Sequence, residues 1–484
     1  MNIVLNTEVN PTTPRIKVYT YYFMLAPFIT WFWSFPANGP FLTKLAQAKG
    51  VDGLSLFIYF YIAHACGLLV YGWYANGSAK DATANGKPNL PASHIFLSLV
   101  CCSVGTLISA FSPSYLLPFV LGFIGLAAVP IMIGLANFVG NGLAPNERGK
   151  VLGTVILISL LLDLLLAVSP LAHLTSTPLL IVTAILPLLV LFPTKRIFVN
   201  LPKYMLPTNP GLQPPKYYWL IFTVLLFGFY SFGGLMYFMV YPVMYWDKSN
   251  YSGIATVFYL LSLIPAGLVA DRFGRKPVVT IAICSTGLGY LLLLPSSAFW
   301  LQVLSSGFMQ IGAATMNIFI WLSVADLSVA LGEPSIFMGR MFSATVLFMA
   351  LSAWETKFIP PSPQNSMLWA IISAGLLFLL FPLSNLLKET NPTVLEHTAS
   401  NPVKENSTPS DYFVNRSTFY EQYKLTEREK DVSSLILDGQ GLLIIQEQLR
   451  ISPNTLKTHL RNIFRKTGTC SQKEFILLFW QQIK

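Results

Sequence analysis

Charged residues are scarce in this chain of 484 residues. Only 11% of its positions are Asp, Glu, Lys or Arg, whereas 54% are hydrophobic. Soluble domains carry about 25% charged residues, so a single core in water cannot accommodate this composition. The scarcity of charge therefore excludes an ordinary soluble protein and predicts a polytopic membrane protein.

Cysteine and histidine are also scarce, with five residues of each type. The cysteines occur singly or as the pair Cys101-Cys102, no CxxC motif is present, and the histidines do not cluster. This pattern supports neither a zinc site nor a disulfide framework, and we expect no cofactor. The sequence also lacks a nucleotide-binding loop and an assignable nucleophile–base pair, so we do not expect an enzyme.

Apolar segments long enough to cross a bilayer occupy most of the first 388 residues. Twelve spans are predicted, at 18–38, 51–74, 94–112, 115–140, 150–170, 177–194, 217–246, 252–270, 277–295, 298–325, 340–358 and 367–387. The longest connection between them, Pro193 to Lys216, is rich in proline and basic residues and follows the sixth span. We therefore expect an all-α membrane bundle of two six-helix halves, covering residues 1–388.

Basic residues are distributed unevenly over the connections between these spans. One set of connections has only four: Lys44, Lys49, Lys248 and Lys357. The alternate set, which includes the N-terminal segment and the loops after spans two, four, six, eight and ten, carries most of the others. By the positive-inside rule the basic set is cytoplasmic, which predicts that both termini lie in the cytoplasm.

The loop after the eighth span reads Gly267-Leu-Val-Ala-Asp-Arg-Phe-Gly-Arg-Lys-Pro277. It resembles the signature loop of the major facilitator superfamily through Gly267, Asp271, Arg272, Gly274, Arg275 and Lys276. The resemblance implies that the loop's acidic and basic side chains latch neighbouring helix ends and bias an inward/outward equilibrium. The equivalent loop after span two departs from the motif, with Asn76 where an Asp is expected.

Polar residues inside the spans are few, and each is costly unless it faces the bundle interior. Asp163 is the clearest case, because it lies within the otherwise apolar run Leu160–Leu166. It is either a proton site or cation partner, or a neutral acid hydrogen-bonded to a neighbouring helix. We interpret His64 as a structural histidine.

Aromatic and amide side chains occur on spans one, four, seven and ten, which line the central cavity in the facilitator family. They are Trp31, Trp33, Asn137, Tyr230, Tyr237, Asn317 and Trp321. Such walls favour an apolar or aromatic small-molecule ligand. Burial near the membrane interface is the alternative explanation for the Trp and Tyr residues.

The composition changes at residue 389 to Asn, Thr, Ser, Pro and Glu, which predicts a flexible cytoplasmic linker over 389–415.

A helix with two distinct faces is then predicted from Pro453 to Lys466, with Ser452 as its N-cap and Gly468 as its C-terminal stop. Leu456, Leu460 and Ile463 form its apolar face.

The opposite face of this helix is polar and mostly cationic, with Asn454, Lys457, Thr458, Arg461 and Arg465. It suits contact with phosphates and base edges, although an ordinary amphipathic surface helix is the alternative. Further helices are predicted before it, from Thr426 and from Leu442, and after it, from Ser471. The second and third helices are joined tightly, as in a helix-turn-helix unit.

Residues 416–484 resemble the LuxR-type (GerE-like) DNA-binding domain. The matching residues are Leu425-Thr426, Arg428-Glu429, Val432, Gly439, Leu449, Ile451-Ser452, Thr455, Lys457–Leu460, Asn462-Ile463, Arg465-Lys466 and Gly468. The resemblance implies DNA contacts along this helix, with Lys457, Thr458 and Arg461 in the major groove. It also implies a homodimer on DNA formed through the last helix, for which Phe475, Leu478 and Phe479 are the candidates. Gln446 departs from the family, because a small residue usually stands there.

The sequence thus predicts a bacterial inner-membrane transcriptional regulator that senses a small molecule through its membrane domain and binds DNA. A secondary transporter with a regulatory C-terminal domain is the main alternative. A third possibility is that the altered second helix has converted the domain into a protein-binding module. No phosphoacceptor domain precedes the helix-turn-helix, so the signal is expected to come through the membrane domain or through altered dimerisation.

Overall fold

Helices form every regular element in the residues that the computed structural model describes. These residues are 15–37, 39–84, 92–144, 146–168, 174–191, 216–232, 251–292, 299–330, 334–355, 357–358, 363–386, 416, 418–437, 442–469, 474–476 and 478–479. The chain divides into two units, Met1–Ser400 and Asn401–Lys484. The predicted linker at 389–415 lies outside the described residues.

The first unit contains fifteen of the described α-helices. They are α1 (Arg15–Ser34), α2 (Pro40–Lys49), α3 (Gly53–Ala84), α4 (Ala92–Phe111), α5 (Leu117–Ala127), α6 (Val129–Gly142), α7 (Arg148–Val168), α8 (Ser176–Thr183), α9 (Ile185–Leu189), α10 (Lys216–Phe227), α11 (Tyr251–Phe273), α12 (Arg275–Leu292), α13 (Phe299–Ala330), α14 (Pro334–Glu355) and α15 (Pro363–Leu386). A 3₁₀ turn, Ser114–Leu116, precedes α5, and a π-helical turn, Gly228–Phe232, follows α10.

Each of the twelve predicted spans coincides, at least in part, with one of these helices or with a consecutive pair. Among the described residues, eight helical segments are long and apolar enough to cross a membrane, and Ser176–Leu189 and Leu220–Ser231 are shorter apolar segments. The prediction of an all-α membrane bundle is confirmed. The sequence analysis missed α2, although Pro40 at its first turn and the left-handed Gly50 after it are ordinary helix boundaries.

The two halves of the bundle approach each other closely at two glycine crossings. At one, α3 packs against α14, and a Cβ atom on Gly339 would lie only 2.4 Å from the carbonyl oxygen of Leu68 and 3.2 Å from the Cα of Gly72. At the other, α7 packs against α11, and a Cβ atom on Gly267 would lie 2.1 Å from the carbonyl oxygen of Gly149. These distances leave no room for a larger residue, so the glycines set the spacing between the halves.

The second unit contains α16 (Glu427–Leu437), α17 (Leu442–Leu449) and α18 (Pro453–Thr467). Further helical residues lie at 418–422, 474–476 and 478–479. Its buried hydrophobic cluster is drawn entirely from residues between Phe419 and Phe479. The unit therefore has a hydrophobic core of its own.

Candidate DNA-binding surface and membrane sites

Helix α18 begins and ends as its sequence predicts. The hydroxyl oxygen of Ser452 accepts a hydrogen bond from the amide of Thr455 at 3.1 Å, and Pro453 occupies the first turn. Gly468 ends the helix in the left-handed conformation, with φ 69°. These caps satisfy backbone groups that a helix end leaves open, and they fix where α18 begins and ends.

The apolar face of α18 packs into the domain, where Leu456 and Ile463 are buried. The predicted DNA-contacting residues are all exposed: Asn454, Thr455, Lys457, Thr458, Arg461 and Arg465. None of the three cations among them forms an ion pair with a described residue. This face of α18 is thus a row of positive charges without counterions among the described residues. Lys and Arg side chains of this kind bind phosphates and the edges of guanine bases.

The other basic residue near the end of α18, Lys466, is occupied inside the domain. Its ammonium lies 2.6 Å from Oε2 of Glu429 and donates to the carbonyl of Lys424 at 2.9 Å. Oε2 of Glu429 also accepts from the amide of Thr426 at 2.8 Å, as its capping-box spacing predicts. Burial disfavours the charged carboxylate, but the hydrogen bonds from Lys466 and Thr426 outweigh it and lower the pKa of Glu429.

Gln446, the departure from the family pattern, lies on α17 and is half-buried. The fully buried contact of this helix is made by the neighbouring Ile445. The backbone carbonyl of Gln446 accepts a hydrogen bond from the amide of Ile451 and so closes the turn into α18. The helix-turn-helix therefore accommodates the larger side chain at this position.

Two of the three residues predicted to form a dimer interface are core residues. Phe475 and Phe479 are fully buried, and their rings lie 5.9 and 4.9 Å from the ring of Phe419. Within one chain the helical residues at 418–422 cover these two phenylalanines, and a role for them in dimerisation stays a prediction. Leu478 is half-buried and remains the accessible candidate of the three.

In the first unit, the loop that resembles the facilitator signature meets the start of α7. Asp271 accepts hydrogen bonds from the amides of Gly149 and Lys150, at 2.7 and 2.8 Å. A carboxylate at the N-terminus of a helix is stabilised by the helix dipole and by the free amides. Gly267 permits the approach through its contact with Gly149, and Gly274 supplies the left-handed turn, with φ 90°.

Asp326, at the end of α13, joins two buried arginines. Its Oδ2 accepts from Nε of Arg275 at 2.7 Å, and its Oδ1 pairs with Nη1 of Arg148. Arg275 also lies 3.6 Å from Asp271. All four side chains are nearly or fully buried, and their formal charges cancel. Sequence analysis had named Asp271 and Arg275 but missed Asp326, which is 51 positions from Arg275 in sequence.

The remaining residues of the signature loop lie outside this network. Arg272 is exposed, with its guanidinium 5.4 Å from the centre of the Phe273 ring, and Lys276 is half-buried.

Elsewhere on the bundle, Lys357 lies 3.1 Å from Asp52, which caps the start of α3. Contacts between the halves are therefore made by ion pairs at α3 as well as at α7.

A cavity of about 90 Å³ lies between α1, α6, α7 and α13. Three of the predicted ligand residues line it: Trp33, Asn317 and Trp321. The rest of the wall is apolar, including Phe28 and Phe32. Pockets for drug-sized ligands enclose about 300–1,000 Å³, so this cavity is smaller than such a pocket.

The other predicted ligand residues do not line this cavity. Trp31 is fully buried and donates from Nε1 to Thr106 at 3.0 Å. Asn137 is half-buried on α6, and Tyr237 lies outside the described residues. Asp163, half-buried on α7, accepts a hydrogen bond from Ser34 of α1 at 2.5 Å. One turn away, Thr30 of α1 donates to the carbonyl of Ser159 on α7, so a polar ladder joins the two helices.

His64 is only partly satisfied. Its Nδ1 lies 2.7 Å from the carbonyl of Gly125, which assigns the proton to Nδ1, while Nε2 has no hydrogen-bond partner among the described residues. Its ring stacks on Phe60 and contacts Phe32. No cluster of metal-ligating side chains is present in the described parts of the chain.

Comparison with known proteins separates the two units. Residues 423–479 match the family of bacterial regulatory proteins of the luxR type. The monoamine regulon transcriptional regulator of Klebsiella aerogenes is 39% identical over 56 residues, which are 12% of this chain and 25% of that protein. The class B tetracycline resistance protein of Escherichia coli is 38% identical over 73 residues, or 14% of this chain and 18% of that protein. The chain thus matches no more than a quarter of the length of either relative.

Over 77–80% of the chain the structure is similar to solved transporters of the major facilitator superfamily. The proton:xylose symporter XylE, solved with 6-bromo-6-deoxy-D-glucose, aligns over 80% of this chain and 98% of its own, with a TM-score of 0.57 and 14% identity. At this identity the likeness shows the fold alone. The C-terminal unit is a LuxR-type helix-turn-helix domain, and the membrane unit has the facilitator fold.

Proposed function

Because a LuxR-type DNA-binding domain and a multi-pass membrane bundle of the facilitator fold share one chain, we propose a membrane-embedded, one-component transcriptional regulator. The membrane domain senses a small molecule, and the C-terminal domain binds DNA. The observation that carries this proposal is the face of α18, on which Lys457, Arg461 and Arg465 are exposed and unneutralised. A clustered row of exposed cations on one helix face is the electrostatic feature by which proteins bind nucleic acid.

The proposal places the protein in the bacterial inner membrane with both termini in the cytoplasm. The support is the excess of basic residues in alternate connections. The network around Asp326 and Asp271 then lies at the cytoplasmic end of the bundle, and the Lys357–Asp52 pair lies at the outer end. Both bridges join the two halves of the bundle, one at each proposed end.

The proposed ligand is small and apolar or aromatic, and it occupies an expanded form of the cavity beside Trp33 and Trp321. Asn317 supplies the polar contact of that wall, and its amide already donates to the hydroxyl of Tyr259 at 2.9 Å. No charged side chain lines the cavity among the described residues. A charged ligand would therefore lose its hydration there without compensation.

Asp163 is proposed to carry a proton linked to the response. Its partner, Ser34, is fully buried, and the Thr30–Ser159 contact continues the same polar ladder. Asp163→Asn is expected to reach normal abundance in the membrane while weakening the transcriptional output. Ser34→Ala serves as the comparison, because it removes the partner and leaves the carboxyl. A normal output from Asp163→Asn at normal abundance would make Asp163 a structural residue.

The direct test of the regulator is to sequence the DNA cross-linked to the full-length protein in cells. We expect a small set of two-fold symmetric sites, since a homodimer is proposed on DNA, and we expect Arg461→Ala to lose them. If no DNA is enriched and the isolated C-terminal domain binds none at low salt, the protein-binding alternative replaces this proposal.

A working secondary transporter is the second candidate function. The observation in its favour is the pair of glycine crossings together with the buried latch at α7, which suit a bundle whose halves move against each other. Uptake of a ligand by the protein in proteoliposomes would support it. DNA binding by the C-terminal domain would still be needed to explain α18.

A further inference from the structure

At least four helices in the described chain end in the same hydrogen-bonded motif. The residue after the helix is left-handed, and the next amide donates to a carbonyl five residues earlier. These bonds run from Val51 to Ala46, Leu425 to Tyr420, Ile451 to Gln446 and Thr469 to Phe464, at 3.0 to 3.1 Å. Their shared geometry makes the four left-handed positions directly comparable.

Glycine fills the left-handed position at two of these helix ends, Gly50 with φ 63° and Gly468 with φ 69°. At the other two, the residues are basic: Lys424 with φ 48° and Arg450 with φ 51°. These are the only two non-glycine residues with positive φ in the described parts of the chain. A Cβ atom makes this conformation unfavourable. Lys424 and Arg450 should therefore make the domain less stable than glycine would at the same positions.

Both basic residues flank α18, one at each end. Arg450 precedes Pro453 by three positions, while the carbonyl of Lys424 accepts from Lys466, the second-to-last residue of α18. A helix of this length extends about 21 Å, compared with about 12 Å for the width of the major groove. The two cations therefore lie near opposite ends of a helix that is longer than the groove is wide.

The side chains of Lys424 and Arg450 have no polar partner in the described part of the domain. Lys424 and Arg450 are exposed, and neither side chain forms an ion pair or hydrogen bond with a described residue. We propose that Lys424 and Arg450 bind DNA phosphates on opposite sides of the groove that α18 enters. This inference rests on the proposed DNA-binding function. The competing explanation is that each cation only stabilises the negative end of the preceding helix.

The test uses the isolated domain of residues 401–484, whose buried core is self-contained. Binding to a short duplex of random sequence is measured by fluorescence anisotropy between about 50 and 200 mM salt. Lys424→Gly and Arg450→Gly should each make the slope of log K against log salt shallower by about 0.9 and lower affinity about eightfold near 0.1 M salt. Each should also raise the Tm by about 4 °C, because glycine relieves the left-handed residue.

Two control variants separate charge from position. Arg450→Lys keeps the charge and should keep the slope. Arg428→Ala removes an exposed cation that pairs with Asp431 at 3.4 Å, and it should leave the slope unchanged. If the wild-type domain binds DNA and both glycine variants have the same salt slope as the wild type, this inference is overturned, and the proposed DNA-binding function is unaffected. A lower Tm in either glycine variant would overturn the claim of retained strain. Failure of the wild-type domain to bind any duplex would instead refute the proposed function.

Discussion

The ammonium of Lys466 and the carboxylate of Glu429 form a short ion pair, 2.6 Å long, between the end of α18 and the first turn of α16. The carboxylate is 4% exposed, so the pair is mostly shielded from water. This contact fixes α18 to α16. Lys466 is therefore engaged in stabilising the folded domain and does not add a free charge to the exposed cationic face of α18.

The pair makes domain stability depend on acid pH. The pKa of Glu429 is lower in the folded domain than its ordinary value of 4.5. The folded state therefore binds this proton less readily than the unfolded state does. The stabilisation is present above about pH 4.5 and is lost as the pH falls through the folded pKa.

We expect Glu429→Gln to lower the free energy of unfolding by about 2 kcal/mol near neutral pH. Urea unfolding of the isolated domain at a series of pH values measures this, and the gap to wild type should narrow below about pH 4.5. Glu427→Gln is the control, because Glu427 is 87% exposed in its pair with Lys430 and should contribute within about 0–1 kcal/mol. A pH-independent gap would contradict the ion-pair explanation.

Asp326→Asn is expected to destabilise the membrane domain strongly, because it leaves Arg148 and Arg275 buried without their shared counterion. Removing one partner from a buried ion pair typically costs about 3–5 kcal/mol. Unfolding of the full-length protein in mixed detergent micelles measures the loss. Lys357→Met breaks the exposed pair with Asp52 and should cost only about 0–1 kcal/mol. Equal effects of the two variants would show that the buried network is not the stronger bridge.

Gly267→Ala should force the two halves apart, since its Cβ would lie 2.1 Å from the carbonyl oxygen of Gly149. A clash with backbone cannot be relieved by a rotamer change, so we expect a loss of about 1–3 kcal/mol. The matched control is Gly375→Ala, where a Cβ would meet no atom within 4 Å. Thermal unfolding of both variants in detergent makes the comparison. Similar stability of the two variants would show that the crossing is not sterically tight.

Lys457→Ala and Arg461→Ala should both lower affinity for the cognate DNA site, and at least one should relax the sequence preference. A base-edge contact contributes about 1–3 kcal/mol of discrimination. Arg465→Ala is expected mainly to weaken the salt dependence, as for a phosphate contact. Competition binding with single-base variants of the site distinguishes these outcomes. If all three substitutions weaken every sequence equally, α18 contacts only the DNA backbone.

Phe419→Ala should destabilise the C-terminal domain by about 3–5 kcal/mol, because its ring packs on Phe475 and Phe479 in the core. Urea unfolding measures this effect. Glu421→Ala, an exposed position of the same short helix, should change stability by no more than about 0.5 kcal/mol. If Phe419→Ala is as neutral as the control, the helix at 418–422 is not part of the folded domain.

Local signals made much of the architecture predictable. Ser452, Pro453 and Gly468 mark the ends of α18 through their own backbone preferences, so its bounds could be read from consecutive residues. Long apolar runs located the membrane helices for the same reason. The signature loop named Asp271, but not the amides of Gly149 and Lys150 that it binds more than a hundred residues away.

What the sequence could not provide is the pairing of distant residues. Asp326 and Arg148 meet across 178 positions, and no periodicity or spacing connects them. Phe419 precedes Leu425, the first of the residues that match the family motif, so the residue that covers Phe475 and Phe479 could not be identified from the motif. The sequence analysis named those two phenylalanines but did not identify Phe419 as the residue that packs against them.

The packing of Phe419 has a consequence for how the domain is delimited and handled. A fragment cut at Tyr423, where the family match begins, would lose the aromatic side chain that covers the last helix. Its two exposed phenylalanines would then favour aggregation of the fragment. The short helix at 418–422 is thus an integral layer of the DNA-binding module. A protease that trims it would inactivate the module without touching α18.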